Sequence, residues 1–153
     1  MNNEEFFMRE ALKQAKKAFA KNEVPVGCVI VFNDKIIARG YNKRETLQQS
    51  LAHAEIIAIK KACKALKTWR LEQCDMYITL EPCIMCSGAI IQSRIRKVIY
   101  GAYDYRYGAH KSFISIFDKK FNHSVDISGG YLASDCENLI KSFFKKLRIE
   151  KKS

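Results

Sequence analysis

The sequence is short of several things, and each absence narrows its reading. No apolar run reaches the roughly 18 residues that a membrane-spanning helix needs. The opening MNNEEFFMRE carries acids where a secretory leader would carry a basic stretch and then an apolar one. A cytoplasmic protein is therefore expected. No internal repeat, low-complexity tract or linker interrupts the chain. Its 153 residues suffice for one compact domain with a real core, so a single domain over 1–153 is expected. Acids are scarce: 16 Asp and Glu stand against 27 Lys and Arg, for a net charge of +11. A balanced solvated face does not produce that excess. It points to a polyanionic partner, nucleic acid ahead of membrane, with scattered surface lysines as the plain alternative.

Six cysteines are present. In a reducing compartment a disulfide framework is not expected. Cys28 lies in an apolar strand-like run, and Cys63 and Cys136 lie in helical patterns. All three read as small buried residues. Only Cys83 and Cys86 have the spacing of metal ligands.

Periodicity predicts helices over about 4–21, 53–66 and 84–94, and one or two terminal helices over about 133–149. Strands are predicted at 25–32 and 35–42, joined by a tight turn, then at 75–80 and 96–102, with a fifth at 124–130. This order predicts an α/β fold, a mixed sheet with helices on both faces. In such sheets, sites collect where strands hand over to helices.

Two motifs fall at such junctions. In TLEPCIMCSGAI (79–90), a strand ends at Leu80, Pro82 punctuates, and Cys83 and Cys86 open the next helix on one face. The positive helix N-terminus favours thiolates there. In LAHAEIIAIK (51–60), His53 and Glu55 open another helix. Two thiolates and one imidazole are a three-ligand zinc set, which leaves the fourth tetrahedral position for water, as in a catalytic site. Zinc brings the pKa of such a water toward neutrality. Glu55, near the metal and not bound to it, is the candidate proton carrier. Residues i and i+2 do not share a helix face, so His53 must sit at or before the first turn, with Ser50 a possible cap. The alternatives are a redox pair of cysteines, which Ile84 and Met85 do not suit, and a structural zinc knuckle with Cys74 as fourth ligand.

The arrangement H-x-E…P-C-x-x-C is the signature of the zinc nucleobase deaminases. Over nearly its whole length the chain resembles the bacterial tRNA-specific adenosine deaminases. EVPVG (23–27), GYNKRETLQQ (40–49), AHAE (52–55), TLEPCIMCSGA (79–89), SRIRKVIYGAYD (93–104), NHSVDI (122–127) and FFKKLR (143–148) follow in the family's order. The resemblance implies a cytidine deaminase-like three-layer α/β/α fold with a central mixed five-stranded sheet, usually in a homodimer. It implies zinc-dependent hydrolysis of adenosine to inosine at the wobble position of a tRNA anticodon, with an arginine tRNA as substrate. It assigns one Zn²⁺ per subunit to His53, Cys83 and Cys86, and proton transfer to Glu55, while activated water attacks C6 of adenine. Asn42, Ala54, Asp104, Asn122, His123, Phe144 and Arg148 become the substrate contacts. The basic helix from about 133 becomes a phosphate clamp.

Three features depart from the family. Ser50 and Leu51 replace a Pro-Thr pair ahead of the zinc helix, so its cap is open to change. Tyr103, Tyr105 and Tyr107 interleave with Arg106 and Lys111, which suits stacking on unpaired bases or packing at a dimer face. Lys145 stands where arginine is common, which loses bidentate phosphate geometry. The competing readings are a deaminase of a free base or nucleotide, such as guanine or cytosine, and a zinc-stabilised RNA-binding module without catalysis.

Overall fold

The structure is a computed structural model and describes residues 3–152, without the side chain of Lys152. Met1, Asn2 and Ser153, at the ends of the expected domain, lie outside the described residues. The elements run α1 (Asn3–Ala20), β1 (Gly27–Phe32), β2 (Lys35–Tyr41), α2 (Arg44–Leu47), α3 (Ala54–Leu66), β3 (Cys74–Leu80), α4 (Ile84–Gln92), β4 (Lys97–Ala102), β5 (Asp126–Ser128) and α5 (Ala133–Lys152). One 3₁₀ turn, Ile116–Asp118, interrupts the long connection before β5.

The strands pair in the order β2-β1-β3-β4-β5. β1 is antiparallel to both β2 and β3, whereas β3, β4 and β5 run parallel. Alternation along β1 explains how the layers form. Cys28 and Ile30 bury on one face with Met76, Ile78, Val98 and Tyr100, under α3 and α4. Val29 and Val31 bury on the other with Tyr77 and Ile99, where α1 supplies Phe7, Met8, Ala11 and Leu12 at helical spacing. Helix α5 joins α1 on that second face through Cys136 and Leu139. The result is the expected three-layer α/β/α arrangement. Helix α3 lies close on the sheet because its inner face is Ala54, Ala58 and Ala62. Gly40 of β2 completes that approach, since a Cβ there would stand 2.5 Å from the Ala54 carbonyl.

Several expectations are corrected. Residues 44–47, where no helix or strand is expected, form the short helix α2. The fifth strand spans only three residues at the sheet edge, not 124–130. Of the one or two terminal helices expected, there is one, α5. Cys28 and Cys136 are buried, but Cys63 is only half buried, packed from α3 against the edge of the core. Among the described residues no helix is long and apolar enough to cross a membrane.

The topology fixes the place of the site. β2 and β3 are both antiparallel to β1, and β4 is parallel to β3. The C-terminal ends of β2, β3 and β4 therefore emerge at one end of the sheet, and the segments that follow them carry Asn42, Cys83 and Asp104.

Candidate metal centre and active site

His53 and Cys83 occupy matching positions. Each is the N-cap residue of its helix, α3 or α4, with extended backbone (φ −81°, ψ 155° and φ −76°, ψ 177°). Neither side chain caps its own helix. Both are thereby free to turn toward each other. Ser50, considered as the α3 cap, is not; it lies in an exposed turn three residues upstream. With His53 just outside the helix and Glu55 in its first turn, the two escape the divergence of i and i+2 on a regular helix.

His53 Nδ1 lies 3.8 Å from Cys83 Sγ and 3.5 Å from Cys86 Sγ. These three are the one cluster of metal-ligating side chains found among the described residues, with all donor atoms within 4.8 Å of one another. Tetrahedral zinc with Zn–S near 2.3 Å and Zn–N near 2.0–2.1 Å requires an N-to-S separation of roughly 3.6 Å. The observed spacings bracket that value, so the donor set fits zinc. Cys74 is buried in β3 and is not in the cluster, which removes the four-ligand knuckle.

The electrostatics suit a cation. Hydrogen bonding from Cys86, and then from His53, pulls the Cys83 thiol down to about 4 despite its burial. The same contact with Cys83, together with burial and the Glu55 carboxyl, pushes Cys86 strongly upward. The Cys83 contact raises His53. Two helix N-termini converge here and add their partial positive charge in favour of thiolates. Glu55 is 4% exposed, with the Cys86 thiol favouring its charged form. Burial first, and then the negative Cys83 sulfur, raises its carboxyl to about 7. A carboxyl poised near neutrality both takes and gives protons.

The remaining expected site residues divide into two groups. Asn42 follows β2, and its side chain braces the turn there: Nδ2 donates to the Val24 carbonyl (3.3 Å) and Oδ1 accepts from the Arg44 N–H (3.1 Å). Ala54 is fully buried at the start of α3. Asp104 follows β4, where Oδ1 accepts the N–H groups of Arg106 and Tyr107 at 3.1 and 3.2 Å. Phe144 is exposed, while its neighbour Phe143 is buried edge-on against Phe19. The end of α5, bearing exposed Arg148, crosses the end of α1 near Asn22, with Lys146 donating to Asn22. All of these stand toward the ligand end of the sheet. Asn122 and His123 do not. His123 Nε2 pairs with the Ile95 carbonyl at 2.7 Å, ahead of β4, and β5 begins beside the start of β4. One chain therefore does not bring these two residues to its own metal centre.

Two buried acids were missed from the sequence, Glu23 and Glu81. Glu23 accepts hydrogen bonds from the start of α2, and Glu81 from the irregular segment after β4, both at this end of the sheet. Their only shared signal is an acid one or two residues before a proline, in EVPVG and TLEPC. A surface cleft of about 400 Å³, lined by Asn3, Phe6, Asp34, Lys35 and Arg39, lies at the opposite end of the sheet, beside the β1–β2 turn. It contains no ligand cluster.

Residues 1–102 match the cytidine and deoxycytidylate deaminase zinc-binding region. The tRNA-specific adenosine deaminase of Bacillus subtilis is 47% identical, over 100% of this chain and 96% of that protein. A structure from a study of A-to-I editing by tRNA:A34 deaminases at the wobble position of transfer RNA superposes with a TM-score of 0.85 at 41% identity, covering 88% of this chain and 98% of that one. A guanine deaminase from Bacillus subtilis is less similar, with a TM-score of 0.64 at 33% identity, covering 80% and 88%.

Proposed function

Since this chain belongs to the cytidine and deoxycytidylate deaminase zinc-binding family, on the branch of the tRNA-specific adenosine deaminases, we propose that it hydrolyses adenosine to inosine at the wobble position of a tRNA anticodon. The observation that carries the reading is the triangle of His53, Cys83 and Cys86 with a buried, near-neutral Glu55 against it. A structural zinc site has no need of that spare acid.

His53, Cys83 and Cys86 hold the zinc. When bound, zinc supplies a Lewis acid that lowers the pKa of water toward neutrality. Glu55 takes the proton that the attacking water gives up at C6. It gives that proton to ring N1, then takes the remaining hydroxyl proton at C6 and passes it to the amino group, so that the C6–N bond breaks, the C6 carbonyl of inosine forms and ammonia leaves. The buried position of Glu55 keeps this proton from exchanging with bulk water.

The target base must leave its stack to reach such a buried centre. Asn42 receives it. Each end of its amide is half used in the turn, so Nδ2 keeps one hydrogen and Oδ1 one lone pair for the base. Ala54 leaves room beside the metal. Asp104, Phe144 and Arg148 face flanking nucleotides, and the excess of +11 supports a polyanionic substrate. The substrate is an arginine tRNA with A at the wobble position, met in the cytoplasm. The enzyme is a homodimer of single deaminase domains, a reading supported by exposed Leu47, Leu51 and Ile84 close to the ligands in sequence. Asn122 and His123 contribute through that second copy.

The test compares purified, zinc-loaded protein on an arginine-tRNA anticodon stem-loop bearing A at the wobble position with free adenosine, cytidine and guanine. Inosine in the stem-loop alone, absent with Glu55→Ala, is expected. Turnover of a free base with an inert stem-loop would replace the substrate reading by that of a free-base deaminase. Zinc binding with no turnover of any substrate would leave an RNA-binding module.

A further inference from the structure

Glu81 directly follows β3, two residues before the ligand Cys83, and is 2% exposed. Its carboxylate collects five donors. Oε2 accepts the N–H groups of His110 (3.0 Å), Lys111 (2.9 Å) and Ser112 (3.1 Å). Oε1 accepts the Asp104 N–H (3.2 Å) and the Ser112 hydroxyl. All five come from one segment, residues 104–112, which otherwise has no regular structure between β4 and the 3₁₀ turn. The same turn holds that segment at two more points. Ala109 N–H donates to the Pro82 carbonyl (2.9 Å), and a Cβ at Gly108 would strike the Glu81 carboxyl. The segment and the metal-ligand turn thus form one unit.

The other side of the segment faces out. Asp104 closes a local turn through the Arg106 and Tyr107 amides and the Gly108 N–H. That turn presents Tyr105 and Tyr107, 76% and 61% exposed, with the Arg106 guanidinium 5.8 Å from the Tyr107 ring. Aromatic faces interleaved with cations bind unpaired bases through stacking and charge. Flexible loops lose affinity to the entropy of ordering, so a clamp that fixes this face in advance strengthens binding.

We infer that Glu81 is a positioning residue for the RNA: its carboxylate fixes residues 104–112 against the Cys83 turn, so that the Tyr105–Arg106–Tyr107 face is preset for the strand flanking the reacting adenosine. The inference rests on the tRNA reading above. The side chain lies outside the metal-ligand cluster, its oxygens are taken up by residues 104–112, and it acts through that loop.

The test is Glu81→Gln in the zinc-loaded full chain. An amide can satisfy one side of the clamp and must turn its NH₂ toward donors on the other. The expected result has three parts: zinc remains at one per chain, KM for the anticodon stem-loop rises about tenfold with kcat within roughly twofold, and the amides of His110, Lys111 and Ser112 lose exchange protection while the β3–β4 ladder keeps its own. An unchanged KM, with kcat falling in proportion to the folded fraction, would make Glu81 merely structural and overturn the inference. Retained protection at the three amides would overturn it as well. If Glu81→Gln does not fold, Ser112→Ala removes one donor outside the metal turn. It should raise KM by about threefold at constant kcat, and an unchanged KM would again refute the clamp. Failure of the wild-type protein on every stem-loop would sink the tRNA reading, while the exchange measurement would still decide whether Glu81 holds the loop.

Discussion

Replacing Glu23 with Gln should cost about 3 kcal/mol, and the cost should vanish in acid. Glu23 is 1% exposed. Its Oε1 accepts the Glu45 N–H at 3.1 Å, and its Oε2 accepts both the N–H and the hydroxyl of Thr46 at 2.6 Å. Hydrogen bonds to a charged group contribute about 1.5–3 kcal/mol each, against about 1 kcal/mol between neutral partners. A Gln amide keeps its oxygen on Thr46, so those two bonds each weaken by about 1 kcal/mol. Its NH₂ then faces the Glu45 N–H, and losing that bond adds about 1–2 kcal/mol. For a chain of this size the sum lowers Tm by roughly 6–12 °C at neutral pH. Burial alone would raise the Glu23 carboxyl, but the Thr46 hydroxyl and the two amides outweigh it and hold it below the ordinary range. A carboxylate lowered in the folded state stabilises fully above its unfolded value, near 4.3, and loses that contribution as pH falls through the folded value. The wild-type advantage should therefore be complete at pH 7 and should shrink below about pH 4. Thermal unfolding of both proteins across this range reads the gap between them, which is insensitive to ligand protonation common to both. A gap under about 2 °C at pH 7, or one that persists in strong acid, would mean that the Glu23 charge does not hold the start of α2.

Further outcomes follow from the same contacts. Gly40→Ala places a Cβ 2.5 Å from the Ala54 carbonyl and 3.0 Å from the Ala58 N, so calorimetry should show a loss of more than about 2 kcal/mol and metal titration a weaker zinc site. Cys83→Ser and Cys86→Ser should each reduce bound zinc below one per chain by elemental analysis, and chelation of the native protein should stop turnover until zinc, but not magnesium, is restored. Phe143→Ala should destabilise by about 3–5 kcal/mol in a denaturant titration, whereas Phe144→Ala should leave stability within about 1 kcal/mol and raise KM for the stem-loop.

The contrast between what the sequence discloses and what it conceals has a physical origin. The ligand set was legible because zinc chemistry demands particular side chains at particular spacing, and His53, Cys83 and Cys86 carry both in the one-letter code. The alternation of β1 and the spacing of α1 were legible because burial on each face selects apolar residues. Glu23 and Glu81 were not. Their partners are mainly backbone N–H groups 22 to 31 residues away, and an amide has no sequence signature. Helix α2 was hidden for the same reason. Lys43 gives it no side-chain cap, and the Glu45 and Thr46 amides at its start are satisfied by Glu23 from another segment. Ser50 looked like a cap by residue type, yet the fold places His53 there, which lets the imidazole leave the helix and meet the sulfurs. His123 matched the family by motif, but motif order carries no information about which end of a sheet a residue reaches.

If this protein deaminates the wobble adenosine of tRNA, bacterial tRNA itself should record it. Total bacterial tRNA lacking inosine, incubated with the zinc-loaded protein and sequenced by reverse transcription, should then show A read as G at the first anticodon position of arginine tRNA. No conversion should occur elsewhere, and none with Glu55→Gln, which should still bind zinc. Unchanged tRNA, or conversion that survives in Glu55→Gln, would overturn the wobble-deaminase function.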